Sequence, residues 1–68
     1  MEYAIGELSE AKRQIDSTLH KLKETIATLE SKETPERYKS QLTLAKRRVA
    51  AFELANSLIE REVKELLA

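Results

Sequence analysis

Two heptad stripes, broken once at a proline, constrain this chain more than any other feature. In the first half the apolar column runs Met1, Ile5, Leu8, Lys12, Ile15, Leu19, Leu22, Ile26 and Leu29, in steps alternating four and three. In the second half it runs Tyr38, Leu42, Ala45, Val49, Phe52, Asn56, Ile59, Val63 and Leu66, with the same alternation. Only Lys12 and Asn56 interrupt the apolar character. A period of 3.5 residues sustained over four heptads predicts amphipathic helices that pair along one seam.

The break falls at Ser31-Lys32-Glu33-Thr34-Pro35-Glu36. Pro35 cannot continue a helix and biases Thr34 away from α geometry. The same residues suit the start of a new helix. Thr34 is the expected N-cap, Pro35 fits the first helical position, and Glu36 complements the positive helix end. The reading is one hairpin domain over 1–68, with helix 1 from about 2 to 32, a turn at about 33–34 and helix 2 from about 35 to 67, ends uncertain by two to four residues. A short connection makes the two helices antiparallel neighbours. The alternative is one long helix kinked at Pro35 and held open by a partner.

The expected fold class is therefore all-α: a coiled-coil-like antiparallel hairpin, dimerising into a four-helix bundle. Composition supports the helices, with 35% charged residues, one Gly and one Pro. At 68 residues a single core is marginal and needs a staple. There is no Cys to form a disulfide, which also fits a cytoplasmic location, and the single His20 makes a metal site unexpected. Self-association or partner binding is what remains. The longest apolar run, Val49-Ala50-Ala51-Phe52, is too short to span a bilayer. The N-terminus lacks a basic segment followed by an apolar one, so it does not read as a signal peptide.

The two polar residues in the stripes suggest how the register is set. A turn at 33–34 places Leu29 near Tyr38, Leu19 near Val49, Leu8 near Ile59 and Lys12 near Asn56, subject to a shift of half a heptad either way. Polar groups buried in one layer penalise slipped assemblies. The competing reading is that Lys12 snorkels to water and Asn56 is tolerated.

Helix 2 carries more apolar surface than one hairpin can bury. Leu44, Ala51 and Leu58 recur at heptad spacing outside the stripe, with Leu54 and Ala55 nearby. Helix 1 is polar off its own stripe, except for a flank of small residues, Ala4, Ala11, Thr18 and Thr25. The expected oligomer interface is accordingly Leu44, Ala51, Leu54, Ala55 and Leu58, with a dimer favoured. Scattered surface leucines without a role are the bland alternative.

Chemistry is scarce. Arg37, Lys39, Lys46, Arg47 and Arg48 form a basic block with no acid between 37 and 52, and could contact nucleic acid. The aromatics needed for base stacking are missing, since Tyr38 and Phe52 read as core and only Tyr3 is left. Glu24, Glu30 and Glu33 could neutralise the block across the hairpin, and the formal net charge of zero draws the chain to no polyanion. His20 sits beside Asp16 and Glu24, but one His does not make a metal site. The serines lack an activating constellation, and no glycine-rich phosphate loop is present. No enzyme activity, cofactor or membrane association is expected. In size and plan the hairpin is similar to small RNA-binding plasmid copy-control proteins that dimerise into four-helix bundles; the similarity is architectural, carries no motif, and does not transfer function. The leading expectation is a non-enzymatic protein-interaction or oligomerisation module acting as adaptor or regulator, with a nucleic-acid-binding hairpin as the alternative.

Overall fold

A computed structural model of the chain describes residues 3–33 and 35–68. Helix α1 spans Ile5–Glu30, a 3-10 turn spans Pro35–Tyr38, and helix α2 spans Lys39–Leu67. The two helices pack against each other as a hairpin, and no strand occurs among the described residues. The particle is a rod of 50 × 16 × 15 Å, which is two helices thick and one hairpin long.

Both helices form for the reasons the pattern suggests, with ends within two to four residues of the expected spans. Helix α1 is shorter than 2–32 at both ends. It starts after Ala4, an extended residue with no side-chain cap, so nothing propagates the helix toward the N-terminus. It stops at Glu30, where Ser31 keeps right-handed backbone geometry and the last turn tightens into i→i−3 hydrogen bonds. The Ser31 backbone N–H donates to the Ala27 and Thr28 carbonyls, and its hydroxyl donates to the Thr28 carbonyl at 2.8 Å. Lys32 N–H donates to the Leu29 carbonyl. These bonds satisfy carbonyls that a helix end otherwise leaves open. Pro35 opens the tighter 3-10 turn rather than α2 itself, and the α-helix begins only at Lys39, after Tyr38. The Thr34 cap and the Met1 end of the first stripe lie outside the described residues.

Gly6, the second residue of α1, has open space around it. A Cβ added there would meet nothing within 4 Å, so it marks no close helix contact.

The seam between the helices is thin. Only Leu8, Leu19, Ala45 and Asn56 are buried among the described residues, and none of them completely. Ile15, Leu22, Ile26, Leu29, Leu42, Val49, Phe52, Ile59 and Val63 are half-buried. Each faces its partner helix on one side and open space on the other. A two-helix rod has no second layer to close over them.

Candidate functional site: a polar edge and a leucine face

The hairpin has two different edges. Along one, charged and amide side chains bridge the helices. Asn56 Nδ2 donates to Asp16 Oδ1 at 2.6 Å. Lys12 Nζ bonds Asp16 Oδ2 at 2.9 Å on its own helix and Glu60 Oε1 at 3.3 Å across the seam. Nearer the turn, Lys46 Nζ lies 3.2 Å from Glu30 Oε2. Asp16 is thus the hub that joins the two polar residues of the stripes.

This geometry lies within the half-heptad shift that the stripes allow. Lys12 faces Glu60 rather than Asn56, four residues further along α2, and Asn56 faces Asp16. The displacement is one helical turn. Its cause is the connection, which runs from Ser31 to Tyr38 instead of over two residues, so the chain reverses later and α2 is set further along. Heptad patterning permits this because half-heptad shifts keep an apolar seam facing an apolar seam.

Asn56 is 9% exposed, and its Oδ1 has no hydrogen-bond partner among the described residues. A buried acceptor left unpaired costs roughly 1–3 kcal/mol. Asn56→Leu is therefore expected to raise unfolding free energy by about 1–2 kcal/mol, because Asp16 is exposed and can rehydrate. Chemical denaturation checks this. A loss of stability would show that the Asp16 bond outweighs the unpaired oxygen.

The charges at this edge make stability pH-dependent. The Lys12 ammonium beside it, and then the Asn56 amide, hold the Asp16 carboxyl below its ordinary value of 3.8. The Asp16 and Glu60 carboxylates hold the Lys12 ammonium above its ordinary 10.5. For Asp16, whose folded value is depressed, the stabilisation is present above pH 3.8 and is lost as pH falls through the lower folded value. For Lys12, whose folded value is raised, it is present below pH 10.5 and is lost as pH rises through the higher folded value. Asp16→Asn is expected to flatten the acid limb of a thermal-melting series; an unchanged limb would remove Asp16 as its source.

The opposite edge carries the surplus apolar residues. Leu22, Thr25 and Leu29 of α1 line a shallow groove with Leu44, Ala45 and Arg48 of α2. Helix 1's small-residue flank and helix 2's leucine column therefore border one face. Leu44 is 48% exposed, Leu58 52% and Leu54 64%. Ala51 is exposed and Ala55 half-buried. Tyr3, Glu7, Leu8 and Ala11 line a second shallow groove near the open end of the hairpin.

The basic block does not form a single stripe. Arg37, Lys39, Lys46, Arg47 and Arg48 are all exposed. Three consecutive helical residues spread over about 200° of the helix circumference. Accordingly Lys46 reaches Glu30 on the polar edge, while Arg48 borders the groove with Leu44. His20 Nε2 contacts Glu24 Oε1 at 2.9 Å on the exposed side of α1. No group of three or more His, Cys, Asp or Glu side chains capable of holding a metal occurs among the described residues. No described helix is long and apolar enough to cross a membrane.

Sequence reading did not single out Asp16 and Glu60 as seam residues. The available signal was their flank position beside the polar interruptions, Asp16 one turn after Lys12 and Glu60 one turn after Asn56. Searches of protein families, curated proteins and solved structures find no match to the chain.

Proposed function

We propose that this chain is a non-enzymatic helical oligomerisation module whose working surface is the leucine face of α2, and that its first partner is a second copy of itself. The observation that carries the reading is the exposed set Leu44, Leu54 and Leu58 beside a seam with only three buried apolar residues among the described residues. Full burial of a leucine is worth roughly 1.5–3 kcal/mol, so covering this face supplies what one hairpin lacks. A two-fold contact doubles each gain and produces a four-helix bundle. Asn56 and Asp16 then hold the hairpin register while the leucine face holds the copies together. A module of this kind serves as an adaptor or regulator in the cytoplasm.

Basic residues divided between two edges favour this reading over nucleic-acid binding, which needs a continuous phosphate-tracking stripe. Mixing tagged and untagged copies tests the proposal. The untagged chain is expected to co-purify with the tagged one, and Leu54→Glu with Leu58→Glu is expected to abolish this. Failure of the unmodified copies to exchange and co-purify would contradict it. Binding of mixed-sequence RNA that falls steeply with added salt would favour the nucleic-acid reading instead.

A further inference from the structure

The exposed column of α2 reads Leu44, Ala51, Leu58, Glu65, and Arg37 continues its seven-residue spacing into the preceding 3-10 turn. All five are exposed. The column is a palindrome in size and an anti-palindrome in charge. The smallest residue is at its centre, a leucine stands seven residues to either side, and opposite charges stand fourteen residues to either side. Arg37 and Glu65, like most of the basic residues, make no ion pair among the described residues.

We infer that two copies meet antiparallel along α2, with the two-fold axis passing at Ala51, so that Leu44 of each packs on Leu58 of the other and Arg37 of each pairs with Glu65 of the other. The inference rests on the dimer reading above and adds its geometry. A two-fold contact makes residue i meet j and j meet i, and a column complementary about its midpoint satisfies both contacts in antiparallel packing. Ala51 lets the two helices approach at the axis, where bulk would hold them apart. The leucines then close over the centre two turns away on each side. Heptad spacing keeps the column under its partner when the pair supercoils with a left hand. Beside the axis the same two-fold opposes Arg48 with Leu54 and Arg47 with Ala55, which sets the aliphatic stems of the arginines against apolar side chains; further out it opposes Gln41 with Arg61. The parallel alternative sets Arg37 against Arg37 and Glu65 against Glu65, and like charges placed together select against it. On helix 1, Leu22, Thr25 and Leu29 line the groove beside Leu44, so they border the contact.

A nitroxide on Ser40→Cys, an exposed site, reads the arrangement by pulsed dipolar spectroscopy. Ser40 stands eleven residues from Ala51, so an antiparallel pair separates the two labels by about 33 Å along the helix axis, or slightly more with lateral offset. A parallel pair brings them within about 25 Å. A dimer with a distance of about 33 Å or more supports the inference. A dimer with the shorter distance overturns the inference and leaves the dimer standing. A monomer by light scattering overturns both. The charge clamp has its own test. Arg37→Glu is expected to weaken the dimer about five- to tenfold, and the swap Arg37→Glu with Glu65→Arg is expected to restore it. Loss without restoration would remove the Arg37–Glu65 pairing.

Discussion

Replacing Leu44 and Leu58 together by glutamate is expected to take the protein from a folded dimer to a largely unfolded monomer at micromolar concentration. Each leucine is half-exposed on the hairpin, 48% and 52%, so the substitutions remove little from the internal seam. Their effect falls on the contact between copies. In the proposed arrangement each dimer places four carboxylates in its apolar centre, where an unpaired charge is costly to desolvate. Unfolding is expected to accompany dissociation because, among the described residues, the seam alone buries only the apolar Leu8, Leu19 and Ala45. Circular dichroism and light scattering on one sample check both parts. A double variant that keeps the helix content and mass of the parent would show that these leucines are ordinary surface residues.

Truncating Leu19 to alanine has the second-largest expected effect. Leu19 is 8% exposed and lies near the middle of α1. Deleting a buried leucine costs about 2–5 kcal/mol, through lost transfer energy and the cavity left behind. A small domain has about 5 kcal/mol to lose. Leu19→Ala is therefore expected to leave the chain substantially unfolded at room temperature and to lower the urea midpoint sharply, without changing the assembly of whatever remains folded. Leu54→Ala, which is 64% exposed, is the matched control and is expected to act mainly on association. Equal losses at both positions would mean that hairpin seam and leucine face form one core whose parts do not separate.

The contrast between these substitutions shows what the sequence made legible. Alternating steps of four and three fixed which face of each helix turns inward, because an apolar stripe has one low-energy orientation in water. Leu44 and Leu58 stood out for the complementary reason: they are apolar where the stripe is not. Axial register was not legible in the same way. Sliding α2 by one turn keeps the seam apolar, so the outcome depends on how many residues the connection consumes. Pro35 signalled the break, yet the turn through Tyr38 that follows it is local geometry that a proline alone does not specify. The observed placement of Lys12 opposite Glu60, and of Asn56 opposite Asp16, reflects that longer turn. Asp16 was read as a neighbour of His20 rather than as a member of the seam, since its role arises from a contact forty residues away in the chain.

The central claim is that helix 2's second apolar face makes this chain a dimer, and sedimentation equilibrium from nanomolar to near-millimolar concentration tests it most directly. The expected result is a mass of twice the 7.8 kDa chain at the high end, with dissociation on dilution accompanied by loss of helix. A fully helical monomer of 7.8 kDa across the whole range would contradict it.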